Sequence, residues 1–84
     1  MGKTTMIQAT LAVYPLQQAG YEAVHRAIDA LRLRNVSVET QRMYTTIAGD
    51  QQAVFEALQA AFDAATSLGL TVMTVTISNA CPVA

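Results

Sequence analysis

The chain has 84 residues, 52% of them apolar and 13% charged, with five Lys and Arg against six Asp and Glu for a net charge of −1. A chain this short reads as one domain, residues 1–84, that buries only about 60–65% of the surface its unfolded form exposes. The cations, at Lys3, Arg26, Arg32, Arg34 and Arg42, form no phosphate-tracking stripe, which argues against a nucleic-acid partner.

Residues Met6 to Tyr14 alternate, with Ile7, Ala9, Leu11 and Val13 on one side and Gln8, Thr10, Ala12 and Tyr14 on the other, and this predicts a first strand closed by Pro15. After the Gly20 break, Tyr21, Val24, Ile28 and Leu31 recur at helical spacing, with Glu22 near the start and Arg32 and Arg34 near the end of a first helix. Val36 and Val38 alternate with Ser37 and Glu39 in a short second strand, and Met43 to Ala48 reads as a third, the two forming a hairpin around Gln41-Arg42. Gly49-Asp50 is a turn followed by an N-cap. Val54, Phe55, Leu58, Phe62, Ala65 and Leu68 then mark the expected buried stripe of a second helix, which Gly69 stops. A fourth strand runs from Leu70 to Ser78.

The order βαββαβ, with right-handed crossovers, predicts an α+β ferredoxin-like sandwich: a four-stranded antiparallel sheet, strand order 4-1-3-2, with both helices on one face. Ile7, Leu11, Val13, Val36, Val38, Met43, Ile47, Met73, Val75 and Ile77 are expected beneath the helices. Thr10, Ala12, Tyr14, Tyr44, Thr46, Val72, Thr74 and Thr76 are expected on the open face. The fourth strand carries no charge from Leu70 through Ser78, and an uncharged edge of that length invites pairing with another chain. Together with a charged fraction well under the about 25% of ordinary soluble domains, this predicts a homodimer or homotetramer formed through the open face, the fourth strand or both.

Cys81 is the only cysteine, so neither an intrachain disulfide nor a CxxC metal site is possible, and a reducing, cytoplasmic setting fits. Apolar runs fall short of the roughly 18 residues of a membrane span, and the start of the chain has no signal-peptide core before Gln8 and Thr10. Gly2-Lys3-Thr4-Thr5 is similar to the end of a P-loop but lacks the strand and glycine-rich turn that such a cradle needs. His25 is the sole histidine and sits at the edge of the helical stripe, as a half-buried packing residue would. Cys81 has no base or helix N-terminus nearby in sequence to activate it. Glu39, Glu56 and Asp63 are not spaced to form a carboxylate pair, so general acid–base machinery is not visible and the chain reads as a non-enzyme.

Tyr14 and Tyr44 fall on the two central strands that stack bases in RNA-recognition domains of the same topology, yet the basic and paired-aromatic pattern of those domains is missing between Arg42 and Gly49. Thr45, Thr46, Ser78 and Asn79 are the remaining candidates. An asparagine directly after a buried strand offers donors and an acceptor, as needed to read an aminopyrimidine edge.

Three segments, AVYPL at 12–16, TTIAGDQQAVFEAL at 45–58 and VMTVTISNACP at 72–82, resemble the YkoF-type thiamine/hydroxymethylpyrimidine-binding family, and the similarity runs across nearly the whole domain. The resemblance implies a ferredoxin-like, cytoplasmic, non-enzymatic protein that takes thiamine or its pyrimidine moiety as ligand and needs no other cofactor or metal. It also implies pairing of domains, which for one domain means pairing between subunits. On this reading Thr45, Thr46, Ser78 and Asn79 supply hydrogen bonds to the pyrimidine, while Tyr14 or Tyr44 faces the thiazolium cation. The alternative is a structural or regulatory oligomerisation module, similar in layout to ACT-type domains, that binds no thiamine.

Overall fold

Strict alternation of apolar and polar side chains builds the first strand, β1 (Met6–Pro15), and everything else packs around it. The computed structural model describes residues 5–80. After β1 come α1 (Glu22–Arg32), β2 (Ser37–Thr40), β3 (Thr45–Asp50), α2 (Gln51–Thr66) and β4 (Thr71–Ser78). The sheet runs β2-β3-β1-β4 with every neighbour antiparallel, the predicted ferredoxin-like order. The Lys3 and Cys81 positions lie outside the described residues.

Register assigns the faces. Ala9 lies opposite Ile47 and Ile77, and Leu11 opposite Thr45 and Val75, so these odd-numbered residues share the helix side. Thr10 lies opposite Thr46 and Thr76, and Glu39 opposite Thr46, which lays one polar row across all four strands of the open face. The Thr10 and Thr46 hydroxyls approach to 3.5 Å there.

The two helices meet through small side chains. Ala23, Ala27 and Leu31 of α1 and Val54, Ala57, Leu58, Ala61 and Ala65 of α2 are buried in one cluster with Ile7, Ala9, Leu11 and Ile47. Alanines four residues apart stack on one helix face, and with no atoms beyond Cβ they let the helices approach each other and the sheet closely. The larger residues predicted for these stripes are displaced sideways. Phe55, Phe62 and Leu68 are exposed rather than buried, and so is Tyr21, because the alanine row has taken the inward position. Val75 and Ile77, expected in the core, are on the helix side but remain 36% and 41% exposed, since β4 is the sheet edge and the helices leave it partly uncovered.

The link between β2 and β3 corrects a second expectation. Strand β3 begins at Thr45, not Met43, and Gln41–Tyr44 form the connecting turn, closed by the Gln41 amide donating to the Tyr44 carbonyl at 2.7 Å. Met43 is therefore 76% exposed instead of joining the core. The predicted cap is in place: the Asp50 carboxylate accepts from the Gln52 amide at 3.2 Å. Gly49 permits a close crossing, because a Cβ there would meet Val36 Cγ1 at 3.2 Å.

Replacing Ala61 by Leu forces three heavy atoms into the helix seam and is expected to cost about 1–3 kcal/mol in a denaturant titration. Met43→Ser, in the exposed turn, is expected to change stability by no more than about 0.5 kcal/mol.

Candidate functional site

The displacement of large side chains from the helix seam leaves a space at one end of the sandwich. One wall is the flank of α1, where Tyr21, Val24, His25 and Ile28 recur one helical turn apart. The floor is the end of β1 from Leu11 to Tyr14 together with Thr45, and the Gln41–Tyr44 turn closes the third side. The resulting cavity has a volume of about 470 Å³, within the range of small-ligand sites.

Its chemistry is simple. Most of the lining is apolar, from Leu11, Val13, Val24, Ile28 and Met43. Thr45 is the one buried polar residue among those described, 7% exposed, and it lines the cavity from the helix side of the sheet. No fully enclosed side-chain polar atom among the described residues lacks a hydrogen bond. No described group forms a hydrogen bond with the Thr45 hydroxyl, so its oxygen is not fully enclosed. Among the described residues no Asp or Glu lines the space, and of the four arginines only Arg42 does. Among the described residues no three His, Cys, Asp or Glu side chains gather as a metal site.

The six residues singled out from sequence separate into three places. Thr45, Tyr14 and Tyr44 contribute to the cavity. Thr46 belongs to the open-face row with Thr10 and Thr76. Ser78 and Asn79 lie at the opposite end of the sheet, in a second and more open hollow of about 400 Å³ shared with Ile7, Gln51, Phe55 and Ile77. Ser78 pairs with Gln8 whereas Thr45 pairs with Leu11 on the other side of β1, which puts them about 10 Å apart along the strands and about 10 Å across them. One pyrimidine ring cannot touch both. The Ser78 hydroxyl is instead engaged locally, accepting from the Ala80 amide at 2.9 Å.

Four cavity residues with polar or aromatic side chains were not among the sequence candidates: Tyr21, His25, Gln41 and Arg42. The first two had a readable signal, because Tyr21, Val24, His25 and Ile28 form a stripe of their own beside the alanines. The turn residues had none, since a short exposed hairpin link carries no periodicity.

A βαββαβ sandwich with its four-stranded antiparallel sheet in the order β2-β3-β1-β4 defines a ferredoxin-like α+β domain. Residues 6–84 match the model described as the YKOF-related family, and the chain belongs to that family. Its fold is shared by a hypothetical protein from Methanocaldococcus jannascii, with a TM-score of 0.81 at 23% identity over 88% of this chain and 79% of that one. It is likewise shared by a domain of unknown function from Bacillus cereus, with a TM-score of 0.79 at 20% identity over 89% and 76%. A third similar structure, from Thermotoga maritima, carries a provisional name as a thiamine biosynthesis/salvage protein; its TM-score is 0.75 at 17% identity over 86% and 81%. At these identities the likeness establishes the fold alone. No curated protein matches the chain in sequence. No described helix is long and apolar enough to cross a membrane.

If the Thr45 hydroxyl is held for a ligand and not for the fold, Thr45→Val should leave the unfolding free energy within about 1 kcal/mol of the parent by thermal or chemical denaturation. A loss of about 1–3 kcal/mol would assign the hydroxyl a structural hydrogen bond instead.

Proposed function

We infer that the chain is a small, non-enzymatic, cytoplasmic binding protein for thiamine or its hydroxymethylpyrimidine moiety, and that the ligand occupies the cavity between β1, β3 and α1. The observation that carries this reading is a buried threonine, Thr45, in the lining of a mostly apolar cavity with aromatic side chains around it. An aminopyrimidine needs a flat apolar slot for its ring and a few polar groups at its edge. Val24, Ile28 and Leu11 supply the slot, and Thr45 and Gln41 supply groups that can donate and accept. Tyr14, Tyr21 and Tyr44 add rings suited to packing on a heterocycle. Membership of the YKOF-related family and the provisional name of the Thermotoga relative favour the same ligand class.

The lining supports the non-enzymatic part of this reading. Breaking or forming a bond in such a ligand calls for a proton acceptor or a nucleophile beside it, and among the described residues no carboxylate lines the cavity. His25 alone stands there, exposed on the flank of α1 and without an orienting acidic partner on the cavity wall.

The open face and the β4 edge suit self-association. Thr10, Thr46, Thr74 and Thr76 form a polar, uncharged surface, and Val72, Val75 and Ile77 leave apolar area along the edge strand. In this reading Thr46 serves the subunit contact rather than the ligand.

Titration calorimetry with thiamine and with hydroxymethylpyrimidine is expected to give saturable binding to both, and no heat and no thermal shift at millimolar ligand would end the reading. Thr45→Val should weaken binding by about three- to tenfold, the worth of one hydrogen bond, while Thr46→Val and Asn79→Ala leave it unchanged. By light scattering at micromolar concentration the chain is expected to have the mass of a dimer or tetramer; a monomer mass would remove the self-association.

A further inference from the structure

The cavity opens where the sheet loses a strand. Strand β1 pairs with β4 as far as Pro15, opposite Thr71, but its pairing with β3 stops at Leu11, opposite Thr45. From Ala12 onward this central strand is therefore an edge on its β3 side. Ala12, Val13 and Tyr14 border the cavity from one side of the gap, and Met43, Tyr44 and Thr45 from the other.

The ladder decides which backbone groups look into that gap. In an antiparallel pair, opposed residues alternate between those that exchange hydrogen bonds and those that do not, so successive residues of β1 turn their N–H and C=O to opposite neighbours. The Leu16 amide donates to the Leu70 carbonyl at 2.9 Å, one step beyond the pairing of Pro15 with Thr71, so the even-numbered residues face β4. At the other end the Gln51 amide donates to the Thr5 carbonyl at 2.8 Å, one step beyond the pairing of Met6 with Asp50, so the odd-numbered residues face β3. Val13 is the first odd-numbered residue past the end of that second ladder, and it is half-buried. Among the described residues no hydrogen bond engages its N–H or its C=O. Pro15, the next residue turned to that side, has no N–H to offer. Val13 thus presents a donor and an acceptor together in the cavity wall, where unpaired backbone groups cost stability until something pairs with them. Thr45, its diagonal neighbour on β3, is about 7–8 Å away, near enough for one heterocycle to meet both.

We propose that the main chain of Val13 reads the amino group of the ligand and the ring nitrogen beside it: the Val13 amide donates to the ring nitrogen, and the Val13 carbonyl accepts from the amino group. This rests on the cavity being the pyrimidine site. An aminopyrimidine presents that acceptor and donor side by side in one plane, as adenine does to a side-chain amide that meets it with two hydrogen bonds. A strand residue presents the complementary donor and acceptor on one side of its Cα. The heterocycle takes the place in the ladder that one more residue of β3 would hold, a single-residue form of strand addition. The same pair of groups sets a preference. A ring with a carbonyl in place of the amino group, and a hydrogen on the neighbouring nitrogen, sets donor against donor and acceptor against acceptor and is refused.

The test is residue-resolved amide hydrogen exchange on the parent chain, free and saturated with hydroxymethylpyrimidine, beside calorimetry with that ligand and with its oxo analogue. In the free protein the Val13 amide is expected to exchange about tenfold or more faster than those of Ala12 and Tyr14, which are turned to the β4 ladder. Bound hydroxymethylpyrimidine should slow Val13 by about tenfold or more relative to these two neighbours. The oxo analogue should bind about tenfold to hundredfold more weakly, the worth of a two-bond match to a base edge. A Val13 amide as slow as its neighbours in the free protein, or one whose exchange relative to them is unchanged by bound ligand, overturns the proposal while leaving the pyrimidine site standing. Equal affinity for the two ligands overturns it in the same way. If calorimetry shows no binding of hydroxymethylpyrimidine, the pyrimidine reading falls first and this one with it.

Discussion

The rest of the structure depends on a seam of alanines. Ala23 and Ala27 of α1 face Ala57, Ala61 and Ala65 of α2 in one buried cluster, with Ala9 of β1 in the same layer. In a domain of this size the core has little surplus, and burial of apolar surface contributes only about 25 cal/mol per Å². Small side chains bury little area each. They compensate by bringing two helices and a sheet into close contact, where many backbone and Cβ atoms share dispersion contacts. The seam is correspondingly intolerant of added volume.

The same seam decides what the larger residues do. With the inward position of each helix given to alanine, Val24, Ile28 and Tyr21 are turned to one flank of α1, and Phe55 and Phe62 to one flank of α2. On the first flank the Gln41–Tyr44 turn stands off from the helix and a cavity results. On the second the flank looks toward β4, the edge strand, whose Ile77 borders a hollow with Phe55. The two ends of the sandwich therefore carry different surfaces, one a pocket with a buried threonine and one an apolar margin beside an unpaired strand edge. This division is the reason that polar residues close in kind, such as Thr45 and Ser78, do not act together.

Apart from the start of β3, strand periodicity was legible in the sequence, and with it the order of elements, the sheet order and the assignment of Thr45 and Thr46 to opposite faces, because a period of two leaves no freedom once the edges are known. The Asp50 cap was legible for a similar reason, since one carboxylate before a helix has one use. Helix faces were less so. Reading the stripe from the largest side chains pointed to Phe55, Phe62 and Tyr21, whereas the repeats Ala23/Ala27 and Ala57/Ala61/Ala65 carried the contact; hydrophobicity ranks residues by size, and a close crossing selects against size. Met43 was misplaced because an apolar residue next to a strand extends the alternation on paper, while the hairpin needed four residues to turn. Cavity membership of Arg42 and Gln41 had no signal at all, being set by where a turn lands against the preceding helix, beyond the intervening β2.

That turn gives the cavity one wall of a different kind from the others. Leu11, Thr45 and the α1 flank are fixed by the sheet ladder and the helix seam, but Gln41–Tyr44 is exposed and held by a single backbone hydrogen bond. Substitutions at these exposed positions reshape that wall at little cost to folding. Four consecutive positions thus form a module in which the shape of the cavity can drift independently of the scaffold, without the domain first acquiring spare stability.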